Sequence, residues 1–180
     1  MYRRSLREQS FKLLFRYEFN PPEEMGTQEE LFFASDDQTY TAEDEEFIRN
    51  RVNAVIERIP EIDSAISGVM EGWEISRIGR VELTILRLAV YEMKNDESVP
   101  EGVAVNEAVE LARKFGQESA PAFVNAVLSK LTTDGAERAG QQIKISREAK
   151  ALGSKKAKTA GDAKEAQATI VVAKRRKTTS

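Results

Sequence analysis

The sequence predicts an all-α protein in which one helical domain is followed by a basic tail. Apolar residues recur at helical spacing in about six segments between residues 5 and 131. Short loops join these segments, and no alternating strand pattern interrupts them, which favours a helical bundle. The apolar pattern ends at Leu131. We therefore predict a helical domain over residues 1–131 and a disordered, low-complexity basic tail over residues 132–180.

The first predicted helix runs from Ser5 to Phe19. Ser5 is the expected N-cap because Glu8 follows it by three residues, as in a capping box, and an Asn-Pro-Pro sequence ends the helix. Residues 20–46 then hold ten acidic residues and no lysine or arginine, which predicts an exposed acidic connector. Within the connector we expect Leu31-Phe32-Phe33 to form only a short docked turn.

Two further helices are predicted in the middle of the chain. Thr41 is the expected N-cap of a helix over residues 42–59, and Pro60 opens the next helix, which Gly72 ends. One helical turn is expected over residues 73–79, with its tryptophan as a packing anchor.

Three features predict the helices of the C-terminal half. Apolar residues surround the axis over residues 80–94, so this helix is expected to be central. The helix after it ends at Gly116, a natural C′ residue. The last helix has Ser119 as its expected N-cap and Pro121 in its first turn, and its buried face reaches Leu131.

The composition excludes several function classes, because the chain contains no cysteine and no histidine. Disulfides, thiolate nucleophiles, Cys-ligated zinc and Ser-His triads are thereby excluded. We find no P-loop, no metal-ligand cluster, no apolar run of about 20 residues and no apolar leader at the amino terminus. We therefore expect a cytoplasmic protein with no membrane association, no cofactor, no metal and no enzymatic activity.

The net charge of −3 hides three blocks of opposite sign. Residues 1–16 hold five cations and one anion, residues 17–131 hold ten cations and 24 anions, and residues 132–180 hold twelve cations and five anions. Such segregation predicts that the basic ends meet an anionic partner while the acidic body stays in solution.

Several strings in the sequence occur in a characteristic order and spacing. They are Arg3-Arg4-Ser5-Leu6-Arg7-Glu8, Val81-Glu82, Ile85-Leu86-Arg87-Leu88-Ala89-Val90-Tyr91-Glu92-Met93, Val103-Ala104-Val105-Asn106-Glu107-Ala108 and Phe123-Val124-Asn125-Ala126-Val127-Leu128. With their flanks these strings cover about residues 1–19 and 73–131, and they resemble the NusB family.

The resemblance implies a fold of two small helical bundles packed across one another. It implies a transcription antitermination factor that binds a single-stranded boxA-type leader in nascent ribosomal RNA. It also implies pairing with NusE, a small-subunit ribosomal protein, in an antitermination complex on RNA polymerase. Some members of the family pair with themselves, and the sequence leaves a homodimer open.

The expected RNA surface combines cations with aromatic rings. Arg3 and Arg7 are four residues apart and share a helix face, and Phe11, Phe15 and Phe19 continue the same line. Guanidinium groups hold phosphates and rings stack unpaired bases. We expect Phe11 and Phe19 to be core residues, whereas the resemblance places Phe15 on the RNA face. The resemblance adds the acidic residue of the Val-Glu pair, which can accept from a base amino group, and the phenylalanine of the Phe-Val-Asn string. The predicted RNA-binding residues are Arg3, Arg4, Arg7, Phe15, Glu82 and Phe123.

Two other interpretations remain open. The opening run carries Ser5 where the family often has another arginine, which keeps a protein-only helical adaptor without RNA binding in consideration. The other interpretation is a NusB-like targeting module of an rRNA methyltransferase. That enzyme would need a glycine-rich cofactor domain and a catalytic cysteine, and this sequence has neither a Gly-x-Gly-x-x-Gly string nor a cysteine.

Overall fold

A computed structural model of the protein describes residues 1–35, 39–70 and 72–137. Within these ranges the chain is helical and contains no strand, which confirms the predicted fold class. The α-helices are α1 (Arg3–Tyr17), α2 (Met25–Ser35), α3 (Ala42–Glu57), α4 (Ile59–Val69), α5 (Arg80–Asn95), α6 (Glu101–Phe115) and α7 (Ala120–Leu131), and 3-10 turns form at Pro22–Glu24 and Ile75–Arg77.

The chain divides into a unit spanning Met1–Gly135 and a unit spanning Ala136–Ser180. Residues 133–137 are helical, and Thr133 donates to Glu101 from its backbone N–H and from its hydroxyl, each at 3.0 Å. The rest of the predicted tail, residues 138–180, lies outside the described residues.

Helix α5 is the centre of the first unit, as its all-round apolar pattern predicts. It packs against α1, α4, α6 and α7. Ile85, Leu86 and Val90 on this helix are fully buried. The other helices bury one stripe each, so α5 is the element against which both halves of the fold assemble.

The helices form two groups around α5. Helix α1 packs on α2 and α3, whereas α6 and α7 pack on each other and on α5. Helix α4 contacts α3, α5 and α7 and so bridges the groups. This arrangement agrees with the two packed bundles that the resemblance implies.

Two sequence predictions in the amino-terminal half are wrong. Helix α1 begins at Arg3 with Tyr2 as its N-cap, so Ser5 lies inside the first turn and caps nothing. The acidic connector contains the three-turn helix α2 rather than a short turn. Met25 and Phe32 are seven residues apart and both are buried, because this spacing brings them to one helix face. The high charge of the segment concealed this pair.

The helix caps follow the sequence in one case and depart from it in another. Thr41 caps α3 through a capping box, accepting from the Asp44 backbone N–H at 3.2 Å while its own N–H donates to the Asp44 carboxylate at 3.0 Å. Gly116 ends α6 in an extended conformation, with φ −91°, and not in the left-handed one. A Cβ there would lie 2.8 Å from the Ala112 carbonyl oxygen and against Ala120, so close approach requires this glycine.

Candidate nucleic-acid interface

The three amino-terminal arginines occupy different environments. Arg3 is exposed at the start of α1. The Arg4 side chain is 63% exposed, and its guanidinium lies 3.0 Å from the Glu110 carboxylate and 3.5 Å from that of Glu107. The Arg7 side chain is only 10% exposed. The solvent exposure of the predicted cationic face therefore falls from Arg3 to Arg7 along the first turns of α1.

Arg7 belongs to a buried ion-pair cluster that ties α1 to α5. Its Nε lies 2.8 and 3.0 Å from the two carboxylate oxygens of Glu92, and its Nη1 lies 3.4 Å from Glu107. Glu92 is buried and also lies 3.7 Å from Arg51 Nη1. Local sequence gave no sign of this pairing, because Arg7 and Glu92 are 85 residues apart.

The same cluster extends to Asp96 at the end of α5. Arg51 pairs with Asp96, and the Ser98 hydroxyl donates to the same carboxylate at 2.6 Å. Burial acts to raise the pKa of Asp96, but the hydrogen bonds from Ser98 and Arg51 outweigh it and hold that pKa below its ordinary value. Asp96 is therefore ionised at neutral pH. The guanidiniums of Arg7 and Arg51 therefore face three carboxylates, those of Glu92, Asp96 and Glu107, and the cluster offers no net positive charge to a phosphate.

The three phenylalanines of α1 and its C-terminal flank also differ in solvent exposure. Phe11 is buried, as expected. Phe15 is half-buried and meets the Phe19 ring edge-on, with centroids 5.0 Å apart. Phe19 is 58% exposed, so its prediction as a core residue is wrong. The reason is that α1 ends at Tyr17 and releases Phe19 from the helical line, so that its ring packs under the Arg80 guanidinium at 4.5 Å.

Phe15 opens onto a cavity of about 530 Å³ between the two groups of helices. Phe11, Phe32 and Phe115 supply further aromatic walls, and Lys12 and Arg16 supply cations. An aromatic surface beside cations suits an anionic planar ligand such as a nucleotide. The lining residues are Phe11, Lys12, Phe15, Arg16, Phe32, Val81 and Phe115.

Glu82 and Phe123 lie together in a second cavity of about 240 Å³. They are half-buried and come from α5 and α7, 41 positions apart in the sequence. The Glu82 carboxylate folds back over Gly79, where a Cβ would collide with it. The lining residues are Trp73, Arg77, Ile78, Gly79, Glu82, Gln117, Ser119, Ala120 and Phe123.

Trp73 is 62% exposed at the mouth of this second cavity, so its prediction as a packing anchor is wrong. The tryptophan precedes the 3-10 turn, and Ile78 behind that turn is the residue that enters the core. An exposed tryptophan beside a carboxylate and a guanidinium is a signal that sequence reasoning missed.

The six predicted RNA-binding residues therefore do not form one continuous site. Glu82 and Phe123 share one cavity, and Phe15 lines the other. Val81 lines the first cavity and Glu82 the second, so the two cavities are neighbours across the first turn of α5. The three amino-terminal arginines line neither. Contact of any of these residues with RNA stays a prediction.

Residues 1–35, 39–70 and 72–137 contain neither a metal-binding cluster nor a membrane-spanning helix. No group of acidic residues in these ranges is arranged to hold a metal ion. No helix within them has the length and apolar character needed to cross a membrane.

Comparison with known proteins places this sequence and this fold in one family. The NusB family profile matches residues 4–133, which include the acidic connector and only the first two residues of the predicted basic tail. A transcription antitermination protein NusB from Lachnoclostridium phytofermentans is 41% identical over 131 residues, covering 73% of this chain and 98% of the relative. NusB from T. maritima has a similar structure, with a TM-score of 0.64, 33% identity and coverage of 72% of this chain and 89% of that one. A crystal structure of the antitermination factors NusB and NusE in complex with double-stranded RNA matches with a TM-score of 0.58, 31% identity and coverage of 71% and 93%. On both sequence and structure, this chain belongs to the NusB family.

Proposed function

We propose that this protein is a transcription antitermination factor that binds a single-stranded boxA-type element in nascent ribosomal RNA jointly with NusE. It acts in the cytoplasm as a binding protein rather than an enzyme, within an antitermination complex on RNA polymerase. Family membership supports the antitermination role, and the related complex of NusB and NusE with double-stranded RNA supports NusE and RNA as the partners.

The observation that carries the RNA-binding proposal is the cavity shared by Glu82 and Phe123. A carboxylate accepts hydrogen bonds from a base amino group, and an aromatic ring stacks on the face of a base. Folding brings these two side chains from separate helices to one open site. The exposed ring of Trp73 and the half-buried ring of Phe123 at that site favour an unpaired strand, because bases in a duplex are already stacked on one another.

The amino-terminal arginines contribute unequally to this proposal. Arg3 and Arg4 are exposed and can reach phosphate oxygens, although Arg4 must exchange its two carboxylate partners to do so. Arg7 would have to leave the buried Glu92, which is costly because breaking a buried pair leaves an uncompensated charge. We expect Arg7 to position α1 and to make the weakest phosphate contact of the three.

The neutralised arginines favour one alternative, a protein-only helical adaptor. Both Arg4 and Arg7 already face carboxylates, so the predicted cationic patch is partly cancelled. In that case the protein would bind NusE and have no affinity for RNA.

The test is a titration of a labelled boxA-type single-stranded oligonucleotide with the full chain, with and without NusE. We expect the chain to bind the oligonucleotide and to bind it more tightly when NusE is present. A duplex of the same sequence should not bind in this way. Glu82→Gln should reduce discrimination between a base that carries an amino group and one that does not, by about 1–3 kcal/mol. Phe123→Ala should lose about 1–3 kcal/mol of binding through the missing stack.

Glu118→Gln is the matched control, because Glu118 is exposed and lies outside both cavities. It should bind like the unmodified protein. Binding of NusE without any affinity for the oligonucleotide would support the adaptor and exclude our proposal. Light scattering on the same samples gives the mass of the complex and shows whether two copies of the chain pair.

A further inference from the structure

The arginines of the described residues fall into two electrostatic classes. Most lie within 4 Å of a carboxylate and are neutralised by it; these are Arg4, Arg7, Arg49, Arg51, Arg58, Arg87 and Arg113. Arg3, Arg77 and Arg80 are exposed and have no carboxylate at that distance within residues 1–35, 39–70 and 72–137. These three are the exposed arginines in that part of the chain that no carboxylate neutralises; Arg16 also lacks a carboxylate partner there, but it is half-buried and donates to Gln28.

Arg77 and Arg80 flank the start of α5, and an exposed aromatic ring accompanies each. Arg77 closes the second 3-10 turn and lines the Glu82 cavity together with Trp73. Arg80 is the first residue of α5, and its guanidinium lies 4.5 Å from the centroid of the Phe19 ring. More than half of the Trp73 and Phe19 side chains is open to solvent. The start of α5 therefore carries one cation–aromatic contact, between Arg80 and Phe19, and lies next to a cavity that Arg77 and Trp73 line together.

Arg80 is held in place and still has donors to offer. Its Nη1 donates to the Glu18 carbonyl oxygen at 3.1 Å, and its Cζ lies over the Phe19 ring, 4.5 Å from the centroid. A guanidinium carries five N–H donors, and only this one bond to the described residues is present. The remaining donors can take phosphate oxygens without further ordering of the side chain, which lowers the entropy lost on binding.

We propose that Trp73, Arg77, Arg80 and Phe19 form a cation–aromatic platform that carries single-stranded RNA past the Glu82 cavity. Arg77 and Arg80 hold phosphates, and the rings of Trp73 and Phe19 stack the bases beside them. This inference rests on the proposed RNA-binding function and locates its main electrostatic contacts at the start of α5 instead of at Arg4 and Arg7. An unpaired RNA strand offers phosphates to the guanidiniums and base faces to the aromatic rings. An acidic peptide would satisfy the guanidiniums alone, so RNA fits this surface better.

The test measures the affinity of the full chain for the boxA-type oligonucleotide at several salt concentrations. Each of Arg77→Gln and Arg80→Gln should reduce the slope of log K against log salt by about 0.7, the value for one lost phosphate contact on a single strand. Trp73→Ala should weaken binding by about 5- to 150-fold with an unchanged slope, because it removes a stack and no charge.

Arg58→Gln is the matched control, since Arg58 is exposed but paired with Glu61. It should change neither affinity nor slope. All of the altered side chains are exposed, so the thermal unfolding midpoint of each variant should match that of the unmodified chain. An unchanged midpoint then attributes any loss of affinity to the missing RNA contact and not to misfolding.

The possible outcomes distinguish failure of this inference from failure of the proposed RNA-binding function. If the unmodified chain binds RNA and the three variants keep its affinity and slope, the platform is refuted while the function stands. If the variants bind RNA normally but lose NusE, this surface is a protein-docking surface and the inference is equally refuted. Absence of RNA binding by the unmodified chain, with or without NusE, would instead remove the proposed function itself.

Discussion

At the scale of single residues, one amino-acid type has two physical roles here. Arg3 is an exposed cation, whereas Arg7 shares the buried carboxylate of Glu92 with Arg51. A buried ion pair recovers its desolvation cost only when its hydrogen bonds are complete, so removing one partner costs more than the pair contributes. The opening arginines of the chain therefore differ in function although they lie within five positions of one another.

This contrast predicts a large stability difference between two glutamate variants. Glu92→Gln keeps the shape of the side chain but leaves Arg7 and Arg51 short of an anion, and it should lower the free energy of unfolding by about 3–5 kcal/mol. Glu110→Gln removes an exposed partner of Arg4 and should cost about 1 kcal/mol or less. Urea denaturation followed by circular dichroism measures both values. Equal losses in the two variants would contradict the buried cluster.

At the scale of helices, the caps show which local signals act in the fold. Thr41 and Ser119 are both the N-cap residues predicted from sequence. The Thr41 hydroxyl accepts from the Asp44 N–H, whereas Ser119 makes no side-chain cap bond. The first helix lacks such a bond altogether, since Tyr2 cannot supply one. A correct N-cap residue in the sequence therefore does not ensure a cap interaction.

The two N-cap residues provide a matched pair of variants. Thr41→Ala should destabilise the protein by about 0.5–2 kcal/mol, because it leaves an amide of the first turn of α3 without its acceptor. Ser119→Ala should have an effect within about 0.5 kcal/mol, the range of a surface substitution that breaks no bond. Thermal unfolding of the two variants side by side gives the comparison. A larger loss for Ser119→Ala would mean that its hydroxyl caps α7 in solution.

At the scale of the whole molecule, every described core residue precedes the basic tail. The core runs from Phe11 to Leu128, and the last described anchor is the bond between Thr133 and Glu101. The segment beyond residue 137 contributes twelve cations against three anions. Its charge can act on RNA over distance, and such contacts to phosphate carry no sequence information.

Truncation after residue 137 should therefore separate folding from general RNA affinity. The cooperative unfolding transition should keep its midpoint, because the described core and the anchor at Thr133 remain. Affinity for a scrambled oligonucleotide should fall more than affinity for the boxA-type one, so selectivity should rise. A second truncation after Leu131 also removes the bonds to Glu101 and should lower the midpoint slightly. Loss of the cooperative transition in the chain that ends at residue 137 would show that the tail belongs to the fold.

The sequence by itself determined the helical class, the central position of α5, the capping box at Thr41 and the family. The first three depend on residues close together in the chain, such as apolar residues three or four apart, and the family on the order and spacing of short strings along it. Only the tertiary structure decided that Arg7 is buried against Glu92, that Trp73 and Phe19 are exposed, and that Glu82 and Phe123 line one cavity. These outcomes depend on contacts between helices far apart in sequence, and no local pattern encodes which surface of one helix another will cover.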